Sequence, residues 1–383
     1  MNRISEQYIR TREQQERLSK AGELASIFAA RAEVHDRDGS FPFDNFADLR
    51  EAGFYKLTIP KKHGGDEISL YELVQVQERL AYGDGSTALS FGWHLGQMLH
   101  FGSTDKWNPK IFAELCRSVA ENGAMINTFA SEAASGSPSR GGKPGSIAVP
   151  VSGGWRISGR KTFSTLSPIL DQFVVTAYLE EEACIGSFLV KRGDGIKLVE
   201  TWDTLGMRAT GSHDMILEDV FVPHEMRLAD SGIDDGGGWL LHIPACYLGI
   251  AMAARDFALD FARAYKPGQM KESIASLPSV QQSIGEMEVE LRTARCLLYD
   301  TADRWDRQAD SRSSMKPELG LAKYVATNHA IKVVDIAMRI VGGASLSRKL
   351  PLERYYRDVR AGLHNPPMDN SVISLLAAAA LAE

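Results

Sequence analysis

The hydrophobic period changes twice along this 383-residue chain, and those two changes restrict its fold more than any other feature. Up to about Ala124, apolar residues such as Ile27, Ala30 and Val34 recur at three- and four-residue spacing, the mark of amphipathic helix. Leu70 to Ala81 resumes the pattern after Gly64-Gly65, and Ser86 reads as the N-cap of a helix over Thr87 to Phe101. From Met125 to about Leu228 the texture becomes short alternating runs: Gly154–Ser158, Phe173–Ala177, Gly186–Val190 and Met215–Val222. Gly153-Gly154 and Gly193-Asp194-Gly195 punctuate them, which predicts an antiparallel all-β module. From Trp239 the helical period returns, with long segments over Val280–Arg307 and Leu319–Val341, the second closed by Gly342-Gly343. One core rarely serves a chain this long, so three units are expected: 1–124, 125–235 and 236–383. The Gly/Ser/Pro-rich tract Ser135–Ser146 reads as a loop.

Several function classes drop out on composition. Net charge is −6 and basic residues form no block, so a nucleic-acid footprint is absent. Cys116, Cys184, Cys246 and Cys296 stand alone without a CxxC pair, which points to reduced thiols in the cytoplasm. The charged opening MNRISEQYIRTREQQERL has no apolar signal core. The apolar stretch Trp239–Ala254 carries His242 and Pro244 and is shorter than a membrane span of roughly 18 residues, so it reads as a core helix. No His/Asp/Glu group has metal-ligand spacing, and no G-x-G-x-x-G follows a strand.

Four passages carry a resemblance. They are Asn127-Thr128-Phe129-Ala130-Ser131-Glu132 with Gly136-Ser137, then Trp155 to Thr165 (WRISGRKTFST), then Leu205 to Ser212 (LGMRATGS) running on to Leu217–Pro223, and last Ile340–Gly343 followed by Pro351–Asp358. Together and in this order they resemble the acyl-CoA dehydrogenase superfamily over essentially the whole chain. The resemblance implies an N-terminal helical domain, a central antiparallel β-barrel, a C-terminal four-helix bundle, and a homotetramer or a dimer of the same pairing. It also implies a flavin between the barrel and the C-terminal helices. Asn127, Thr128, Ser131, Ser164 and Thr165 would then hydrogen-bond the flavin, because short hydroxyl and amide side chains on rigid strands suit its polar edge. Phe163 would flank the ring, and Gly342-Gly343 would let backbone approach a pyrophosphate. Gly342-Gly343 reads equally as a plain helix cap. Arg357-Asp358 and Arg208 read as structural contacts. FAD is the expected cofactor. Arg263–Gly268 lacks the R-x-x-F-G pattern of the adenine end, which leaves FMN as the alternative.

The dehydrogenases of this family abstract a proton with a Glu. Pro366 stands at that place here, and Leu240–Ile243, where some relatives put the base, has no carboxylate either. Leu363-His364-Asn365-Pro366 instead resembles the L-H-[DN]-P segment of dibenzothiophene monooxygenase-like flavin monooxygenases, and Gly92-Trp93-His94-Leu95 matches a second histidine position in them. Alone, His94 reads as a core histidine beside Phe91, Leu95 and Met98. Paired with His364, and with Ser164 nearby, it reads as a proton-handling residue for oxygen chemistry in a dry cavity. The resemblance thus implies a two-component monooxygenase that takes reduced flavin from a separate reductase and oxygenates a small apolar substrate containing sulfur or nitrogen. The alternative is an acyl-CoA dehydrogenase with a non-standard base.

Overall fold

Thr11 opens the first helix, α1 (Arg12–Asp38), by accepting the Gln14 N–H on its hydroxyl, and Gly39 ends it in the left-handed conformation at φ 64°. The computed structural model describes residues 6–133, 142–229, 232–268 and 270–382; Gly136-Ser137 and most of the Ser135–Ser146 tract lie outside them. Helices α2 (Phe43–Glu51), α3 (Leu70–Gly83), α4 (Gly85–Ser103) and α5 (Pro109–Asn122) complete the first helical part. Ser69 and Glu72 form a reciprocal capping box on α3. The cap of α4 is Asp84 rather than Ser86. Its carboxylate accepts the N–H groups of Ser86 and Thr87 and the Thr87 hydroxyl. A carboxylate satisfies more orphan donors than a serine and adds charge at the positive end of the helix.

The middle part holds β1 (Ile126–Phe129), β2 (Ile147–Val151), β3 (Gly154–Lys161), β4 (Gln172–Leu179), β5 (Cys184–Lys191), β6 (Ile196–Val199) and β7 (Asp214–Pro223). The strands lie in the order β1-β4-β2-β3-β7-β6, with β5 on the other edge of β4. Two features differ from the expected module. β1 pairs with β4 in parallel, Asn127 beside Phe173, and β2 touches β4 in parallel at Ile147 and Tyr178. The β2–β3 hairpin and the turn after it bring the chain back in the same direction, so the sheet is mixed. Among the described residues no ladder joins β6 to β1 or β5, and the hydrogen-bonded path forms one curled sheet. Strands β1, β2 and β6 are too short to show an alternation in sequence.

Helices α6 (His242–Ala264), α7 (Pro278–Arg307), α8 (Lys316–Val341), α9 (Leu352–Val359) and α10 (Asp369–Ala382) form the last part. The expected core helix is α6: every residue from His242 to Arg255 is buried. It packs against α3 and α4 on one side and α7 and α8 on the other. Buried side chains such as Ile243, Leu248 and Ile250 each contribute about 1.5–3 kcal/mol. Among the described residues no helix is long and apolar enough to cross a membrane.

Arg357 and Asp358 tie the three parts together. The Arg357 guanidinium donates to both carboxylate oxygens of Asp36 on α1, at 2.9 and 2.6 Å, to Glu353, and to the Leu205 carbonyl of the middle part. Asp358 is buried and accepts the Met207 N–H at 2.6 Å. Gly206 lies so close to the Arg357 carbonyl that an added Cβ would come within 2.5 Å of it. Arg208 donates to the Asp36 carbonyl at 2.7 Å and is part-buried. Replacing Arg357 with Ala should therefore cost about 3 kcal/mol, because Asp36 and Glu353 lose their shared partner. Denaturant titration checks this, with R357K expected in between, since an ammonium cannot fork to both carboxylates. An R357A variant as stable as wild type would contradict the role.

Candidate active site

The turn after β3 concentrates unusual features. Phe163 has φ 54° and is 65% exposed, an uncommon state for an aromatic side chain. Its ring meets the Trp202 indole edge-on at 5.7 Å. The next residue, Ser164, is fully buried, and its Oγ has no hydrogen-bond partner among the described residues. A buried hydroxyl without a partner marks a place where something else completes the site. Thr165 continues into a chain of hydroxyls: Thr165 Oγ1 to Ser212 Oγ at 2.8 Å, Ser212 Oγ to Thr210 Oγ1 at 2.7 Å, and Thr210 Oγ1 donating to the Met207 carbonyl at 3.1 Å.

Strand β1 flanks this turn. Asn127 is buried, donates to the Thr165 carbonyl at 3.1 Å and accepts the Thr128 N–H at 2.7 Å. Thr128 donates to Gln97 of α4 at 2.8 Å. The Ser131 carbonyl accepts the Thr162 N–H, which lays the end of the motif beside the turn. Glu132 is structural: the fully buried Lys161 ammonium meets it at 2.5 Å, and Ser146 donates to the same oxygen. Asn127, Ser164 and Thr165 are thus brought together as expected residues around one turn. Gln97, Trp202 and Ser212 belong beside them but were not singled out. Gln97 is three residues past His94, on the same helical face, and that spacing was the available signal.

The two histidines of the expected pair stand in different surroundings. His94 is completely buried. Its Nε2–H donates to the Tyr55 carbonyl at 3.0 Å, and its Nδ1 accepts the Ile126 N–H at 3.2 Å. Both ring nitrogens therefore serve the main chain, and the ring joins α4 to β1. Burial pushes its pKa down to about 4. His364 is exposed at the end of the turn Arg360–His364 and makes no hydrogen bond among the described residues. No hydrogen bond or ring contact joins the two histidines. Beside His364, Asn365 accepts the hydroxyl of the fully buried Tyr247 at 2.5 Å. Gly342 has φ 70°, and an added Cβ at Gly342 or Gly343 would meet nothing within 4 Å, so this turn faces open space.

A third histidine, His242, lies in Leu240–Ile243, a segment without a carboxylate. It is buried between Trp93 at 4.9 Å and Trp239 at 6.1 Å, and neither ring nitrogen has a partner. Glycines admit it: a Cβ on Gly92 would fall 2.6 Å from its Nδ1, and one on Gly96 2.9 Å from its Cδ2. Burial alone pushes its pKa down to about 3. A cavity of about 600 Å³ lies elsewhere, between α1, α3, α6 and α7, lined by residues including Tyr8, Glu78, Tyr82 and Tyr299. None of the expected flavin residues lines it. Among the described residues no His/Cys/Asp/Glu cluster could hold a metal ion.

Comparison with known proteins matches three successive segments of the chain. The family descriptions "Acyl-CoA dehydrogenase, N-terminal domain", "middle domain" and "C-terminal domain" match residues 11–118, 127–220 and 241–363. The chain is 48% identical to the putative acyl-CoA dehydrogenase YdbM of Bacillus subtilis, over 97% of this chain and 98% of that one. It is 27% identical to the probable FMNH2-dependent monooxygenase SfnC of Pseudomonas putida, over 94% and 93%. Among solved structures it is similar to KijD3 in complex with FMN and a dTDP-linked amino keto sugar, with TM-score 0.86 and 26% identity over 97% and 94% of the two chains.

The buried histidines set an acid limit. His242 stays neutral in the fold to about pH 3 but gains a proton near 6.5 when unfolded. Its contribution is thus lost as pH falls from 6.5 toward 3, and His94 acts in the same sense down to about 4. Asp358, pushed up to about 7 by burial, acts in the opposite sense between 7 and its ordinary 3.8, gaining stability as pH falls. An H242L variant should lose about 2 kcal/mol less stability than wild type between pH 7 and pH 5. Equal losses by denaturant titration at the two pH values would contradict the buried neutral state.

Proposed function

The chain belongs to the acyl-CoA dehydrogenase family of flavin-dependent oxidoreductases, and from that premise we propose that it is a flavin monooxygenase acting on a small apolar substrate containing sulfur or nitrogen. The observation that carries this reading is the lack of a carboxylate at both places where a dehydrogenase of this family keeps its base. Pro366 stands at one, beside Asn365 bonded to Tyr247, and His242 between two tryptophans stands at the other. Removing a proton next to a thioester needs a positioned base. The likeness to a probable FMNH2-dependent monooxygenase supports the same reading, with a separate reductase supplying the reduced cofactor.

The residues present fit a flavin. The unpartnered Ser164 Oγ, the Thr165 hydroxyl, Asn127, Thr128 and Ser131 would hold its polar edge, and the exposed Phe163 its ring face. Gly342-Gly343 leaves room for phosphate. When bound, the flavin supplies the redox chemistry. FAD is the cofactor of this reading; the likeness to an FMN complex supports FMN as the alternative. His364 is the histidine free to exchange a proton with a substrate, while His94 shapes the wall between α4 and β1. The middle sheet would close as a barrel and the C-terminal helices as a four-helix bundle in a homotetramer. Exposed Leu346, Ile373 and Leu381 support such a shared surface. The 48% identity to a putative acyl-CoA dehydrogenase favours the second reading, desaturation of an acyl-CoA with a non-standard base.

Anaerobic mixing with straight-chain acyl-CoAs separates the two readings. The flavin should keep its visible absorbance, and rapid bleaching would establish the dehydrogenase. For the proton-exchange role, H364N should lower turnover roughly 10²–10⁴-fold with flavin affinity unchanged. Full activity in H364N would remove His364 from the mechanism.

A further inference from the structure

One imidazole next to the candidate flavin wall is used in an unusual way. His213, at the edge of β7, accepts two consecutive main-chain N–H groups on its Nδ1, from Thr201 at 3.2 Å and Trp202 at 3.1 Å. A ring nitrogen that accepts carries no proton, so the ring is neutral with its proton on Nε2. The His213 carbonyl accepts the Ser164 N–H at 3.1 Å, and the Asp214 N–H donates to Thr201 Oγ1 at 3.1 Å. Trp202 is fixed at its other end as well, its indole N–H donating to the Met207 carbonyl at 3.0 Å. Its ring then meets Phe163 edge-on.

We infer that His213 is a positioning residue for the flavin: its neutral Nδ1 holds Thr201-Trp202 in place, so that Trp202 braces Phe163 against the flavin ring, and protonation of Nδ1 releases that brace. The inference rests on the flavin site proposed above. A protonated Nδ1 becomes a donor facing two donors, so both bonds are lost in a single step. The charged groups facing the ring are Glu200, on the segment after β6, and Asp214 on β7, which Arg160 of β3 engages at 2.7 Å. The carboxylates favour the charged ring, but burial outweighs them and moves the pKa below its usual 6.5. The brace is therefore complete at neutral pH and fails on acidification.

The test is flavin affinity against pH in three forms of the full-length protein. Flavin-depleted protein is titrated with FMN and with FAD at pH 8 and pH 5, following quenching of flavin fluorescence. Wild-type Kd should rise as pH falls from 8 to 5, approaching about tenfold as Nδ1 takes up its proton, on the scale of one lost hydrogen bond. H213N can place its Oδ1 where Nδ1 stands and does not titrate, so its Kd should change by less than about threefold. H213A should bind about tenfold more weakly already at pH 8. His94, His242 and Asp358 titrate alike in wild type and H213N, so the difference isolates His213. Near-UV circular dichroism of the flavin-free protein gives a second readout: an acid-induced change in the tryptophan band in wild type and none in H213N. If neither flavin binds wild type at pH 8, the flavin reading fails and this role with it. If flavin binds and both forms show the same pH dependence, the inference alone is overturned.

Discussion

The ion pair between Arg357 and Asp36, with Asp358 accepting the Met207 N–H beside it, is the constraint on which the rest of the molecule depends. Two adjacent residues of α9 reach the first helix and the loop that precedes β7. The Met207 peptide is the junction. Its N–H faces Asp358, and its carbonyl takes the Trp202 indole and the Thr210 hydroxyl. The position of the candidate cofactor wall is thus set from the C-terminal helices through one peptide unit. A charged pair at the surface contributes little; this one sits where three bodies meet, mostly out of solvent.

The arrangement explains how chemistry can change on a fixed frame. Carboxylates elsewhere in the seam keep structural duties: Glu132 binds Lys161, Glu78 binds Arg295, and Asp84 caps α4. On the proposed reading, Pro366 and His242 stand where a base would act, and the short hydroxyl residues gather separately around Ser164. The frame and the polar edge of the site are kept apart from the group that would abstract a proton.

Periodicity exposed the long helices because their apolar stripes repeat over many turns; α7 and α8 were legible almost end to end. It missed β1 and β6, which are four residues each and have no room for a pattern. It also read α4 as capped by Ser86, since Ser and Asp both fit a cap and only the folded geometry shows which carboxylate oxygens point inward. The motif residues Asn127, Ser164 and Thr165 were legible, and they do gather. The settings of the histidines were not. The partners of His94 are the Tyr55 carbonyl and the Ile126 N–H, and those of His213 are two more N–H groups. Main-chain groups are the same in every residue and leave no trace in sequence, so a histidine held by them looks like any other.

Phe163 carries a consequence for the life of the protein in a cell. A left-handed backbone holds its ring outward, with Leu205 also 66% exposed in the same part of the molecule. Uncovered aromatic surface invites association with other chains and attention from chaperones. A ligand that covers it binds only the folded state, so occupancy shifts the folding balance by mass action. On the proposed reading, in which flavin covers Phe163, the supply of flavin would govern how many copies of the polypeptide persist, not merely how many are active.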